Sequence, residues 1–181
     1  MIQNRGLRHY LRQGGVIAYP TESCFGLGCD PKSRLGVQRI LRLKGRPQHK
    51  GLILIAHELR QFSPFISQLS ASQKTKLLET WPGPFTWLIP ASKRCPFWLR
   101  GKHSSIAVRV TAHTGSAKLA HSINNAIVST SANRSGHQSA KSARECSRLF
   151  GKSVRVISGR IGKAKKPSTI KDLVTNKVIR P

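Results

Sequence analysis

The chain has 181 residues, 38% of them hydrophobic, which suits one globular domain with a full core. Its 32 lysines and arginines against 6 acids give a formal net charge of +26, which favours partners rich in phosphate, such as RNA. No apolar stretch approaches the roughly 18 residues of a membrane span, and residues 1–12 lack the apolar core of a signal peptide, so we expect a cytoplasmic protein with no membrane partner.

Helix-capping residues and runs of β-branched and apolar residues predict helices and strands that alternate along the chain. The first half of the chain has a helix ending at Gly14, a strand over 16–19, a helix from the cap Ser33 to about Lys44, a strand over 52–56, and a helix from the capping box Ser70-x-x-Gln73 to about Thr80. The second half has strands over 85–89, 106–110 and 126–130, a helix from the cap Ser142 to Phe150, and strands over 154–158 and 169–174. This alternation predicts a single α/β domain over residues 1–181 with a mixed sheet. The order of the strands does not follow from the pattern.

The four cysteines do not form a recognisable metal-binding pattern. Cys24, Cys29, Cys95 and Cys146 include no CxxC pair, and no histidine cluster completes a set of zinc ligands. We therefore expect reduced, mostly packed thiols, and we assign no metal-binding residues.

Four polar segments lie at strand ends or in turns, where α/β proteins tend to place their sites. They are residues 19–28, the basic loop over residues 44–50, residues 104–109 and residues 129–136. Each has a simpler interpretation: Thr21 and Glu22 as turn caps, the basic loop as a solvated surface, Arg109 as a strand residue facing solvent, and the Ser-Ala-Asn run as an Asx turn. Taken together, they indicate a cleft that binds anions and nucleotides.

The chemistry of this cleft is indicated by the motifs that the sequence lacks. It contains neither GxxxxGK[ST] nor GxGxxG, so no P-loop or Rossmann fingerprint holds phosphates. It contains no carboxylate pair typical of glycoside or metal chemistry. We expect catalysis by positioning and by cationic stabilisation of phosphoryl or carboxyl groups, without a protein nucleophile. Glu22 is the nearest carboxylate to the cleft, but we interpret it as a turn cap, and the sequence does not assign a base.

Six segments, in order and spacing, resemble the YrdC-like family: VIAYPTESCFGLGCDP, LKGRPQHKGLILIA, WPGPFTW, SSIAVRVT, IVSTSANRSG and PSTIKD. The resemblance spans about residues 8–181 and is closest to the short, single-domain bacterial members. It implies a twisted mixed sheet with flanking helices and a large, positively charged concave cleft. It also implies that L-threonine, bicarbonate or CO₂, and ATP are condensed to threonylcarbamoyl-AMP and pyrophosphate, with Mg²⁺. Partner proteins then transfer the threonylcarbamoyl group to tRNA, forming threonylcarbamoyladenosine.

The resemblance also implies a role for each matching residue. Lys44 and Arg46 would be the catalytic cations that bind the substrate carboxylate and phosphates. The threonine-binding residues would be Thr21, Arg109 and Ser168. The ATP-binding residues would be Arg46, Lys50, Ser105, Ser131, Asn133 and Arg180. Longer relatives differ in having a histidine where Ile55 stands and a second, C-terminal domain.

Two other functions remain open from the sequence. The charge of +26 alone is also typical of a double-stranded RNA- or rRNA-binding ribosome-maturation factor without catalysis. The same fold occurs in a carbamoyltransferase of hydrogenase maturation, but that protein has zinc-finger and acylphosphatase-like regions for which this chain has no room.

Overall fold

The computed structural model describes residues 4–181, and within them nine strands form one mixed sheet. The strands are β1 (Ile17–Pro20), β2 (Phe25–Gly28), β3 (Ile53–Ala56), β4 (Phe85–Pro90), β5 (Ser105–Val110), β6 (Ile127–Ser131), β7 (Arg155–Val156), β8 (Thr169–Asp172) and β9 (Val178–Arg180). The helices are α1 (Arg5–Arg12), α2 (Arg34–Lys44), α3 (Ala71–Leu78), α4 (Phe97–Arg100), α5 (Thr114–Ser122) and α6 (Ala143–Phe150). Short 3-10 turns cover Gln48–Lys50, Leu59–Phe62 and Gly151–Ser153. Among the described residues, no helix has both the length and the apolar character that crossing a bilayer requires.

The strands follow the order β7-β1-β2-β6-β3-β5-β4-β8-β9. The pairs β1–β7, β3–β5 and β4–β8 are parallel, and the other neighbours are antiparallel. The predicted α/β fold with a mixed sheet is confirmed. The helix caps are confirmed as well, because the side chains of Ser33, Ser70 and Ser142 each accept a hydrogen bond from the first turn of α2, α3 and α6.

The sequence reading missed β2, α4, α5 and β9 as regular elements. Two of the four residues of β2 are glycines, which are uncommon in strands, so the sequence Phe-Gly-Leu-Gly favours a turn. In the sheet, Gly28 is needed because a Cβ there would lie 2.7 Å from the carbonyl of Val128 and 2.8 Å from the ring of Tyr19. The strand predicted over 154–158 is shorter than expected, because only Arg155–Val156 pair, with β1.

The two faces of the sheet differ in composition. Along β5, Ile106, Val108 and Val110 point into the main hydrophobic core, while Ser105 and Arg109 alternate onto the opposite face. Part of that opposite face is covered by α1 and α5, which form a smaller apolar cluster with β1, β3 and β6. The rest, which we call the open face, carries polar side chains: Ser105 and Arg109 of β5, Thr86 of β4, Ser168 before β8, and Arg180 of β9.

Leu54 provides a test of the main core, because its side chain is fully buried on the central strand β3. Leu54→Ala removes buried methyl groups and leaves a cavity, so we expect the free energy of unfolding to fall by about 3 kcal/mol. The matched control is Leu78→Ala in α3, where the leucine is 62% exposed and the loss should stay within about 0.5 kcal/mol. Urea unfolding monitored by circular dichroism measures both; equal losses would contradict this description of the core.

Candidate active site

Lys44 connects the end of α2 to the Ser-Ala-Asn segment that follows β6. Its ammonium donates to the carbonyl of Ser131, to the carbonyl of Asn133 at 2.9 Å, and to Oδ1 of Asn133 at 3.0 Å. An ammonium has three N–H groups, so all of its donors have partners here. Lys44 therefore acts as a positioning residue for Ser131 and Asn133, and a direct contact with substrate would require it to leave one of these oxygens.

The environment of Lys44 also affects its proton affinity. The side chain is only 4% exposed and lies close to a second cation, Arg46. Burial, and secondly repulsion from Arg46, lower the pKa of Lys44 to about 8. The ammonium of Lys44 is consequently expected to lose its proton in mildly alkaline solution.

Arg46 and Lys50 lie in the basic loop between α2 and β3. Nη2 of Arg46 donates to the carbonyl of Gly51 at 3.0 Å, while its Nε is buried without a partner. Burial lowers the pKa of this guanidinium. Lys50 is exposed, and its ammonium makes no hydrogen bond within residues 4–181. The loop thus presents one half-buried guanidinium with an unpaired donor and one solvated ammonium.

Glu22 and Arg109 form an ion pair on the open face. Oε2 of Glu22 lies 3.0 Å from Nη2 of Arg109, with 18% and 10% of the two side chains exposed. The hydroxyl of Thr111 donates to Oε1 of the same carboxylate at 2.6 Å. The interpretation of Glu22 as a turn cap is therefore wrong, because its carboxylate reaches across to β5. The solvent-facing alternative for Arg109 is wrong too, since this side chain is buried.

Thr111 was missed by the sequence reading, although it follows Arg109 by two residues at the end of β5. Nothing in the local pattern distinguishes it from an ordinary strand residue. The only signal that points to it is the carboxylate of Glu22, 89 residues away in the chain.

Thr21 lies in the turn after β1, which a later segment covers. Its hydroxyl and its N–H both donate to the carbonyl of Cys24, at 2.8 and 2.9 Å. The N–H of Gly162 donates to the carbonyl of Thr21 at 2.9 Å, and that of Ala164 to the carbonyl of Glu22 at 3.1 Å. Gly162 is required at this contact because a Cβ would lie 2.6 Å from the carbonyl oxygen of Glu22.

Ser168 and Arg180 complete the open face beside β4. The hydroxyls of Ser168 and Thr86 are 2.8 Å apart, and Nη2 of Arg180 donates to the carbonyl of Ser168 at 2.7 Å. Burial, and secondly repulsion from Arg109, lower the pKa of Arg180. Two guanidiniums therefore lie close enough on this face to repel each other.

The structure thus brings the residues named from the sequence into two groups. One group contains Lys44, Ser131 and Asn133. The other contains Arg109, Arg180 and Ser168, and Thr21 belongs to it because the next residue, Glu22, pairs with Arg109. Ser105 is half-buried on the same face of β5 as Arg109 but has no side-chain hydrogen bond within the described part of the chain. Cys29, Cys95 and Cys146 are buried, as predicted, and Cys24, whose carbonyl accepts from Thr21, is partly exposed.

Unpaired polar atoms mark the same region. Among the buried side-chain nitrogens and oxygens of residues 4–181, three lack a hydrogen-bond partner: the Tyr19 hydroxyl, Nε of Arg46 and Nε of Arg109. Such a group costs about 1–3 kcal/mol when it is left unsatisfied. Two of the three belong to guanidiniums that the sequence assigned to anion binding, which supports a site for an anionic ligand.

Comparisons with known proteins show the family to which the chain belongs. A family model described as Telomere recombination, for the group named Sua5, YciO and YrdC, matches residues 9–181. The chain belongs to the Sua5/YciO/YrdC family. The threonylcarbamoyl-AMP synthase of Methylobacillus flagellatus is 57% identical over 177 residues, covering 98% of this chain and 98% of that protein. That of Thiobacillus denitrificans is 54% identical over 175 residues, covering 97% and 93%.

A solved member of the Sua5/YciO/YrdC family has the same fold. The crystal structure of P. abyssi Sua5 complexed with L-threonine superposes with a TM-score of 0.88 at 30% identity. The match covers 98% of this chain and 53% of the P. abyssi chain, so this chain spans about half of that protein but nearly all of the bacterial relatives. The predicted resemblance and the single-domain α/β fold are both confirmed.

The Glu22–Arg109 pair allows a test of the site that does not depend on activity. Because both groups are largely buried, removing one leaves the other charge uncompensated, which destabilises more than removing both. We expect Glu22→Gln and Arg109→Gln each to lower the free energy of unfolding. The double variant should lose less than the sum of the two, with a coupling of about 1–3 kcal/mol. Urea denaturation of the four proteins measures the coupling, and additive losses would show that the two side chains do not interact in solution.

Proposed function

We propose that this chain is a threonylcarbamoyl-AMP synthase, a nucleotidyltransferase that condenses L-threonine, bicarbonate or CO₂, and ATP to threonylcarbamoyl-AMP and pyrophosphate, within a single domain over residues 1–181. The observation that carries the proposal is the buried guanidinium of Arg109 on the open face, held by Glu22 and retaining an unpaired Nε. Support comes from bacterial relatives of that name, at 57% and 54% identity, and from the L-threonine complex of P. abyssi Sua5.

The threonine is bound at the Arg109 end of the open face. A guanidinium binds a carboxylate through two parallel N–H donors, and Arg109 has free donors because Glu22 engages only Nη2. The hydroxyls of Thr21 and Ser168 lie on the same side and assist the threonine. Glu22 offers its carboxylate to the ammonium of the amino acid, so that this end matches both charges of a zwitterion.

The ATP is bound at the end of the open face that contains Ser105 and the Ser-Ala-Asn segment. Ser105, Ser131 and Asn133 contact the nucleoside and α-phosphate. Lys44 holds the main-chain carbonyl of Ser131 and Oδ1 of Asn133, which also accepts from the Ser131 hydroxyl. Arg46 and Lys50 bind the β- and γ-phosphates, where Arg46 brings its unpaired Nε. Arg180, anchored on the carbonyl of Ser168, faces the developing negative charge between the two substrates.

The reaction follows without a protein nucleophile. The ammonium of the bound threonine first releases one proton to solvent. The neutral amine then attacks CO₂, forming an N–C bond and releasing a second proton, and the product is a carbamate. A carbamate oxygen then attacks the α-phosphorus of ATP while the bond to the β-phosphate breaks and pyrophosphate leaves. Both steps gather negative charge, which Arg46, Lys50 and Arg180 offset from fixed positions.

Mg²⁺ fits this site as part of the substrate. Its preferred ligands are oxygens, usually one or two carboxylates together with phosphates. Within residues 4–181 there is no group of three histidines, cysteines or acids that could hold a metal ion. The metal therefore enters as MgATP, held by the triphosphate, and it supplies charge neutralisation at the phosphates.

The partners follow from the product and from the charge. Threonylcarbamoyl-AMP is a reactive mixed anhydride, so transfer proteins acting downstream take it up and modify tRNA. Separately, the net charge of +26 on this chain favours contact with that RNA. The setting is the cytoplasm. The second candidate, an RNA-binding ribosome-maturation factor without catalysis, rests on this same charge alone.

The decisive experiment is pyrophosphate release from MgATP by the purified protein, with L-threonine and bicarbonate each added and each omitted. We expect release only when all three substrates are present. Arg46→Lys keeps the charge but loses the planar donor geometry, so release should fall at least about tenfold. Arg94→Lys, at an exposed position, is the control and should keep full activity. Strong RNA binding by a folded protein that releases no pyrophosphate would favour the second candidate.

The lowered pKa of Lys44 predicts a pH dependence of ATP binding. Below about pH 8 the ammonium holds three oxygens, but the neutral amine formed above it has only two N–H groups and no charge. The affinity for MgATP, measured by calorimetry without threonine, should therefore fall as the pH rises through about 8. Lys44→Met should bind more weakly, with no inflection there. An equal inflection in the variant would assign the titration to another group.

A further inference from the structure

A second basic cleft lies away from the open face, and we propose that it binds phosphate groups of an RNA backbone. The cleft has a volume of about 350 Å³ and is lined by Arg8 and Arg12 of α1, Lys32 of the turn after β2, Arg60 of the 3-10 turn after β3, and Asn124 and Asn125 before β6. Four cations from three separate parts of the chain thus converge on one depression. The assignment rests on RNA as a partner and not on the synthase chemistry.

The cations of this basic cleft are poorly neutralised. Within the described residues, the side chains of Arg8, Arg12 and Lys32 form no hydrogen bond or ion pair, and Arg60 pairs with Glu58. The one acid in the lining is Asp30, whose Oδ1 already accepts from the N–H of Lys32 and from the amide of Asn125. Four cations therefore face two carboxylates, Asp30 and Glu58, and a bound polyanion relieves the repulsion that the excess of positive charge causes.

The lining also indicates which polyanion fits. It contains no aromatic side chain and only one apolar residue, Pro64. A nucleotide base would need a stacking surface, and a membrane surface would need exposed aromatic or leucine side chains, so neither is favoured. Arginines and a lysine with neighbouring amides suit phosphate and ribose oxygens, which carry no sequence information. The cleft should therefore hold RNA without regard to sequence and with a strong dependence on salt.

The position of the basic cleft leaves the proposed active site free. Arg60 and Lys32 follow the carboxyl ends of β3 and β2, whereas the basic loop with Arg46 and Lys50 precedes the amino end of β3. The two regions are therefore at opposite ends of the same strand. RNA bound in the cleft and ATP bound at the loop do not compete for the same cations.

The test compares two variants of equal charge. The first changes Arg8, Arg12, Lys32 and Arg60 to glutamine, and the second changes four exposed cations elsewhere to glutamine: Arg94, Arg144, Arg148 and Lys152. Each carries four charges fewer than the native +26, so the general attraction for a polyanion falls equally. The affinity for an unmodified tRNA transcript is measured at several salt concentrations between about 50 and 200 mM, where binding through phosphate contacts depends strongly on salt.

We expect the cleft variant to lose about tenfold or more in affinity at the lower salt concentration, and its salt slope to fall by about 1 for each contact removed. The control variant should lose much less. An unrelated duplex RNA should give the same difference between the two variants. Melting temperature and pyrophosphate release are followed in both variants, so that misfolding or a failed synthase assignment is seen separately.

Three results would overturn the assignment. The first is an equal loss of tRNA affinity in the two variants, and the second is a native protein that does not bind the tRNA. The third is a cleft variant that loses binding to anionic lipid vesicles but keeps its affinity for tRNA. The last result would assign the cleft to a membrane surface.

Discussion

Too few carboxylates are available to this protein to pair its cations, and much of the site follows from that constraint. With 6 acids for 32 lysines and arginines, ordered cations are held mainly by neutral oxygens. Lys44 is held by Ser131 and Asn133, Arg46 by the carbonyl of Gly51, and Arg180 by the carbonyl of Ser168. A carbonyl fixes the geometry of a cation without cancelling its charge. These groups are therefore pre-positioned and still attract anions.

The ion pair between Glu22 and Arg109 is the exception, and it gives the Arg109 end of the open face a different character from that of the basic loop. At the Arg109 end both signs of charge are present, so a zwitterion such as an amino acid finds a partner for each of its groups. The basic loop over residues 44–50 contains three cations and no acid, which suits a triphosphate. In the proposed binding mode these two regions distinguish the two substrates by charge alone, before any contact with the threonine methyl or the adenine ring is considered.

The sequence predicted those parts of the fold that depend on local chemistry. Capping serines at positions 33, 70 and 142 placed three helices correctly because a cap is a contact between neighbours in the chain. The sequence did not predict β2, where Gly28 is required by close packing against β6 and Tyr19, a reason that is visible only in three dimensions. The order of the nine strands was equally out of reach, since it depends on contacts between residues far apart in sequence.

The candidate site shows the same division. The motifs identified Arg109, Lys44 and Asn133, but their partners could not be predicted, because Glu22 is 87 residues from Arg109 and Asn133 is 89 from Lys44.

The excess of positive charge limits what composition can reveal about such a protein. When nearly every surface is basic, the presence of a cation says little, and its surroundings become the informative property. Arg109, which is buried, and Arg46, which is half-buried, differ from the exposed arginines because each has a buried, unpaired Nε. The cations of the basic cleft differ because three of them, Arg8, Arg12 and Lys32, converge without an ion pair within the described residues. These two kinds of cation should respond differently to ions in solution, since salt screens exposed charges strongly and buried ones weakly. Small-ligand binding at the open face should therefore tolerate salt that releases RNA from the cleft, which separates catalysis from RNA contact on one small domain.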